Sequence, residues 1–207
     1  MTFLKTLAVV CTVSIALLEA GYAQANSTDA GTVSSVAPSA YLIRNGSAIS
    51  AEYKSAVQWG DTLRTDGNGR ATIHLRNGSV ISLGEYSEVR IQHDTTATSL
   101  ILAHGVMRAD SISGFTEIQT PSLAIHANRG EMLIDATQPG DTAVVCVTGS
   151  AEVTSGSQGS PVLCRDGDSL LARNGESLRY VTTDDRQIAI LRNASDPDAP
   201  PPFLPFP

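Results

Sequence analysis

The spacing of apolar residues between positions 71 and 91 is the feature that most constrains how this chain can fold. Three apolar pairs follow one another at an eight-residue step: Ile73/Leu75, Ile81/Leu83 and Val89/Ile91. Polar residues separate the two members of each pair, which is typical of a strand with one buried face. Three successive strands that turn the same face inward are therefore predicted.

The alternation of apolar and polar residues also predicts the length of the turn after the first strand. A two-residue hairpin at Asn77-Gly78 would pair Leu75 with Val80 and turn Ile81 away from the shared face. A three-residue connection, Arg76-Asn77-Gly78 with Gly78 in the left-handed conformation, keeps the apolar residues on one side. We predict the three-residue turn.

Further strands are predicted over most of the chain up to Val181, because short apolar runs are bounded by Gly, Pro, Asn or Asp. In the second half they cover residues 99–103, 106–110, 117–119, 123–126, 132–136, 142–148, 151–154, 162–164, 169–172 and 178–181. The predicted fold class is all-β: a sandwich or a solenoid-like stack of many short strands with tight glycine turns, plus one short C-terminal helix.

The helix is predicted over residues 184–192, with Thr182 or Thr183 as its N-cap and with Ile188 and Leu191 on one face. The domain boundaries follow: a signal peptide at 1–25, an all-β domain at 26–183, a short helix at 184–195 and a proline-rich tail at 196–207. The tail is expected to be extended or solvated, because its prolines cannot join a sheet.

The first 25 residues predict a secretory signal peptide. Lys5 precedes an apolar run at 7–18, and Ala23-Gln24-Ala25 supplies small residues for cleavage after Ala25. The run is shorter than the ~20 residues that span a bilayer. A periplasmic or secreted product with no stable membrane span is expected, and an uncleaved membrane anchor is the alternative.

Charge excludes one class of partner. The net charge is −7, and Lys54 is the only lysine after the predicted signal peptide. Nucleic acids and anionic lipids require concentrated positive charge, which the dispersed arginines do not provide. No nucleic-acid partner is expected.

Two cysteines, Cys146 and Cys164, follow the predicted signal peptide. An even number of cysteines in an oxidising compartment predicts a disulfide. Two buried thiols are the alternative. No further Cys or His lies at the spacing of a zinc site.

No motif predicts catalysis, a cofactor or a metal. The histidines, at 74, 93, 104 and 126, have no ligand spacing, and His93 and His104 are interpreted as turn residues. Serines lie in Asn-Gly-Ser and Thr-Gly-Ser turns rather than in a nucleophile elbow. Acidic turns at Asp61/Asp66 and Asp166/Asp168 are interpreted as caps of backbone donors, with calcium as the alternative. The protein is therefore predicted not to be an enzyme.

Eight segments of the sequence follow one another in a characteristic order: 60–65, 69–73, 77–84, 87–91, 105–109, 120–125, 144–153 and 166–168. With these segments, residues 31–170 resemble the FecR domain, the extracytoplasmic module of bacterial iron-responsive sigma-factor regulators. One departure is local: Arg129-Gly130-Glu131-Met132 stands where the family usually carries Gly-Thr and an aromatic residue. The other is global, since the anti-sigma region, membrane helix and receptor-contacting domain of full-length regulators are not found around the domain.

The resemblance implies a stand-alone, non-catalytic binding or signalling-accessory module of the bacterial envelope. Its partner is expected to be an envelope protein or a cell-envelope ligand. The candidate contact residues lie on an exposed strand face and in the tail: Thr72, His74, Arg76, Phe203, Leu204 and Phe206. A solvated face and a solvated tail are the alternatives for these residues. The alternatives for the protein are a structural envelope or surface scaffold, and a metal-binding module or hydrolase.

Overall fold

The structure is a computed structural model that describes residues 28–93, 97–111, 116–156, 159–173 and 176–199. The predicted signal peptide and the candidate contacts Phe203, Leu204 and Phe206 lie outside the described residues. Within them the chain is built from strands with one helix near the C-terminus, so the all-β prediction is confirmed.

The strands of the first half are β1 (Asp29–Val36), β2 (Ala40–Arg44), β3 (Ser47–Ser50), β4 (Ala56–Gln58), β5 (Thr62–Thr65), β6 (Ala71–Leu75), β7 (Val80–Leu83) and β8 (Glu88–His93). Those of the second half are β9 (Thr98–Ser111), β10 (Thr116–Gln119), β11 (Leu123–Ala136), β12 (Thr142–Ser155), β13 (Val162–Arg165), β14 (Ser169–Ala172) and β15 (Arg179–Val181). The helix α1 spans Asp185–Ser195.

Continuous hydrogen bonding joins the strands, and the sheet folds over into two layers. The first layer has the order β3-β2-β5-β8-β9-β10-β11-β12-β13. The second has the order β4-β1-β6-β7-β9-β11-β12-β14-β15. Buried apolar side chains from both layers form one core cluster, which makes the molecule a sandwich rather than a solenoid.

Three strands, β9, β11 and β12, belong to both layers. Each is 14 residues long. The sequence predicted two short strands in place of each, separated near Gly105, Gly130 and Gly149, and that prediction is wrong. The glycines bend the strands from one layer into the other without ending them.

At the bend, Gly130 on β11 and Gly149 on β12 lie opposite each other. Their φ angles are 118° and 84°, a region that favours glycine. A side chain on Gly149 would collide with the carbonyl of Arg129, and one on Gly130 with the carbonyl of Thr148. Only glycine fits at either position.

The eight-residue apolar step is confirmed. Every residue of the three pairs is buried, and Ile73 lies opposite Ile81 in the register of β6 and β7. The Leu75 N–H donates to the carbonyl of Ser79 at 2.9 Å, and Gly78 has a φ of 86°. The connection is therefore the predicted three-residue turn, Arg76-Asn77-Gly78.

Three local predictions are corrected. The N-cap of α1 is Asp184 rather than Thr182 or Thr183, because Asp184 and Gln187 form a capping box that satisfies two free backbone N–H groups. The helix also continues to Ser195, the last residue of the predicted segment 184–195, and does not stop at residue 192. His93 and His104 lie in strands β8 and β9 rather than in turns.

The predicted disulfide is present between Cys146 and Cys164. Cys146 lies in the part of β12 that belongs to the second layer, and Cys164 lies on β13 of the first layer. Both residues are fully buried. The bond therefore ties the two layers together beside the bend at Gly149.

Replacing both cysteines, as Cys146→Ala with Cys164→Ala, should lower the free energy of unfolding by about 3 kcal/mol, because the unfolded chain loses the constraint of an 18-residue separation. Urea unfolding measures the change. Reduced wild type should unfold at nearly the same urea concentration as the variant. A variant as stable as the oxidised wild type would contradict the prediction.

Candidate functional site

The outer face of the second layer is partly covered by α1. Along β11, Met132 and Ile134 belong to the core cluster, whereas Glu131, Leu133 and Asp135 point to the opposite side. Leu133 is completely buried although it does not belong to that cluster. The helix contacts β7, β9 and β11, so it buries this apolar residue on the outer face.

The helix contacts the sheet through residues at helical spacing. Ile188, Leu191, Arg192 and Ser195 are half-buried or buried, and they follow the i, i+3, i+4, i+7 pattern of one helix face. The prediction that Ile188 and Leu191 share a face is confirmed. Because the apolar part of this face is short, polar contacts must supply much of the attachment.

Glu131 provides the central polar contact. Arg192 donates to both of its carboxylate oxygens, from Nε to Oε1 at 2.7 Å and from the second guanidinium nitrogen to Oε2. Arg108, on β9, pairs with Oε1 at 3.1 Å. A two-pronged arginine–carboxylate contact fixes direction as well as distance, so it orients α1 on the sheet.

These contacts shift the ionisation of the pair. The hydrogen bonds from Arg192, followed by the charge of Arg108, lower the pKa of Glu131 against the opposing effect of burial. The hydrogen bond to Glu131 raises the pKa of Arg192. Both groups therefore remain charged at neutral pH, and the ion pair is formed there.

Arg70 holds the chain that follows the C-terminal end of α1. Its side chain is almost fully buried, pairs with Glu85 at 3.1 Å, and donates to the carbonyls of Asp196 and Ala199 at 3.3 and 3.0 Å. A buried guanidinium requires such partners. Arg70 thus attaches the chain after α1 to the start of β6.

A groove of about 350 Å³ lies between α1 and the outer face of the second layer. Its lining is mainly apolar: Ala143, Val145, Leu171, Val181, Ile190 and Leu191, with Asp135, Thr182, Thr183 and Gln187. Ile190, at the edge of the groove, is 57% exposed. The groove and this side chain together form the candidate contact surface.

The sequence-predicted contacts Thr72, His74 and Arg76 lie on the same outer face, on and just after β6. Thr72 is cross-strand to Ser82 on β7, a strand that α1 contacts, so β6 lies next to the helix-bearing region. His74 is exposed. Thr72 forms a 2.9 Å hydrogen bond with Ser82, and Arg76 pairs with Asp29 at 3.0 Å.

The acidic turns have structural partners. Asp61 is buried, binds Arg44 through both carboxylate oxygens and accepts from the N–H of Gln58. Asp168 accepts from the N–H of Arg165. Across the described ranges, no group of three His, Cys, Asp or Glu residues is placed to hold a metal ion.

Sequence reasoning missed the roles of Glu131, Arg70 and Arg192. Glu131 was visible only as a departure from the family pattern, and the structure explains that departure through the attachment of α1. Arg192 lies four residues after Ile188, so the helical spacing could have placed it on the attached face. Nothing local in the sequence predicts the contact of Arg70 with residues 196–199.

Comparisons with known proteins agree with this architecture. The sequence profile of the family described as FecR protein matches residues 61–152. That range runs from the start of β5 into β12 and includes the bends shared by both layers, within the wider span of residues 31–170 that the resemblance covered. The predicted resemblance to the FecR domain is thus confirmed over residues 61–152.

Two solved structures share the fold. A crystal structure of a candidate anti-sigma factor from Parabacteroides distasonis ATCC 8503 is similar with a TM-score of 0.56 and 13% identity, over 64% of each chain. A second structure with the same description has a TM-score of 0.52 and 14% identity, over 60% of each chain. This chain thus spans less than two thirds of those solved chains. A search of curated proteins finds no match.

The helix that the structure describes, α1, does not have the length and apolar character needed to cross a membrane, and no other candidate span is found in the described part of the chain.

Replacing Glu131 with Gln should lower the free energy of unfolding at neutral pH by roughly 1–2 kcal/mol, because Arg108 and Arg192 lose their charged acceptor. The lowered pKa of Glu131 means that its stabilisation is complete above the unfolded-state pKa near 4.3 and is lost as pH falls through the folded-state value. The difference between wild type and variant should therefore shrink in acid.

Urea unfolding at several pH values measures this difference, and Glu152→Gln, an exposed carboxylate on β12, is the matched control. Hydrogen exchange should also be faster in α1 of the Glu131 variant only. A stability difference that stays constant from pH 7 to below the pKa of Glu131 would contradict the assignment.

Proposed function

We propose that this protein is a regulatory FecR-domain module that acts by binding another protein of the bacterial envelope. The match of residues 61–152 to the FecR family is the observation that carries the proposal. The shared fold with candidate anti-sigma factors supports a signalling role. In this role the protein changes the state of a partner and transforms no substrate.

The arrangement of side chains favours binding over catalysis. Nucleophilic catalysis needs a Ser or Cys held by a base. Cys146 and Cys164 are joined to each other, and the buried carboxylate of Asp61 is held by Arg44. These groups stabilise the fold, and the outer surfaces remain as the functional part of the molecule.

The outer face of the second layer is the proposed binding surface. The groove beside α1 and the exposed Ile190 supply an apolar centre, and Asp135 and Gln187 supply polar groups at its rim. His74 and Arg76 would contact the periphery of the same partner. An apolar centre with a polar border is the usual composition of a protein–protein interface.

A periplasmic or secreted location is part of the proposal. It is supported by the signal-peptide pattern of residues 1–25. It is also supported by the disulfide, because such bonds persist in oxidising compartments. In that location a cytoplasmic sigma factor is out of reach, so the direct partner is expected to be an envelope protein.

Affinity capture with paired surface variants tests the proposal. Ile190→Asp places a charge in the proposed interface, and Ile49→Asp places one on β3 of the first layer, where the side chain is comparably exposed at 47%. Tagged full-length protein would be expressed in the source organism, crosslinked and purified. At least one envelope protein should be captured by wild type and by Ile49→Asp, and about tenfold less by Ile190→Asp, equivalent to a loss of ~1.4 kcal/mol.

Circular dichroism establishes that both variants fold. Equal capture by Ile190→Asp would reject the proposed surface. A wild-type protein that enriches no envelope protein would reject the binding function and favour the structural scaffold.

A further inference from the structure

A second surface feature lies on the first layer, away from α1. Trp59 and His93 stack with their ring centroids 4.8 Å apart and their planes 25° from parallel. Both rings line an open recess of about 570 Å³, within the size range of small-molecule sites. Its other lining residues are Gly60, Gln92, Ser99, Glu117 and Gln119.

The aromatic part of the recess is held in place by the backbone. The Trp59 N–H donates to the carbonyl of Thr28 at 2.8 Å, and the next N–H, of Gly60, donates to Ile91 at 2.7 Å. The half-buried Trp59 side chain also packs against the core cluster, whereas His93 is exposed. The stack therefore forms a fixed aromatic surface at the edge of the recess.

The polar part lies on three adjacent strands. Gln92 on β8 is cross-strand to Ser99 on β9, and Ser99 is adjacent to Glu117 on β10. Gln119 lies two residues further along β10 and faces the same side. Its amide nitrogen donates to Oε1 of Glu117 at 2.9 Å, so the amide oxygen and the second carboxylate oxygen are oriented without help from a ligand.

We propose that this recess binds a neutral saccharide. A pyranose ring has an apolar face of C–H groups that packs on aromatic rings, and a rim of hydroxyls that donate and accept hydrogen bonds. The Trp59–His93 stack would pack against the C–H face of the sugar. The sugar hydroxyls would form hydrogen bonds with the side-chain amides of Gln92 and Gln119, the hydroxyl of Ser99 and the carboxylate of Glu117.

The charge of the lining selects among ligands. Glu117 is the one formally charged residue among the described residues that line the recess, and no Lys or Arg is found with it. A phosphate or sugar acid would meet a carboxylate without a compensating cation, which disfavours anionic ligands. The predominantly polar lining disfavours a lipid chain. A neutral glycan unit fits both conditions.

Trp59 gives this site a direct spectroscopic probe, because it is the single tryptophan of the chain. The full-length protein would be titrated with two neutral tetrasaccharides, cellotetraose and chitotetraose, and with the acidic tetragalacturonate. Emission of Trp59 should change with saturation for at least one neutral oligomer, with a Kd of about 0.1–1 mM. Tetragalacturonate should bind more weakly.

Variants locate the binding. Gln119→Ala and Glu117→Gln each keep the tryptophan and should weaken binding about fivefold or more, because the first removes the side-chain amide and the second replaces a charged acceptor oxygen with an NH2 donor. Glu152→Gln, on the same outer face but outside the recess, should bind like wild type. His93→Ala should also lose affinity by calorimetry, which does not depend on fluorescence.

Three outcomes would overturn the proposal. The first is a response to both neutral oligomers that does not saturate up to about 10 mM. The second is unchanged affinity in folded Gln119→Ala and Glu117→Gln. The third is tighter binding of tetragalacturonate than of both neutral oligomers. None of these outcomes bears on protein binding at the outer face of the second layer.

Discussion

The rest of this structure depends on one constraint: three strands bend at glycines and continue from one layer into the other. Because β9, β11 and β12 continue from one layer into the other, the two layers share backbone hydrogen bonds as well as a core. At the bend of β11 and β12, Gly130 and Gly149 lie opposite each other, and neither position has room for a side chain. The disulfide adds a covalent tie between the layers beside this bend.

This frame determines where function can reside. The described inward-facing apolar residues pack in one core, and the proposed binding surfaces lie on the two outer faces. On the second layer, Glu131 and Arg70 hold α1 and the chain that follows it, creating an apolar groove with an exposed rim. On the first layer, the Trp59–His93 stack and the polar side chains of β8–β10 form a separate recess.

The features that depend on residues close together in the sequence were predictable. The eight-residue step fixed the inward face and the turn at Gly78, and the resemblance to FecR named the domain. A glycine in a strand pattern can end a strand or bend it, and the two outcomes look alike locally; hence β9, β11 and β12 were each divided in two. The contact of Glu131 with Arg192 spans 61 positions, and no periodic pattern reports a contact of that range.

The most direct test of the account is the free energy of unfolding of Gly149→Ala, measured by urea with circular dichroism and Trp59 fluorescence. The methyl group would meet the Arg129 carbonyl, at a backbone conformation that costs other residues about 1–3 kcal/mol. We expect a loss of at least about 2 kcal/mol in one transition seen by both signals, since the layers unfold together. A variant as stable as wild type, or two separate transitions, would contradict the account.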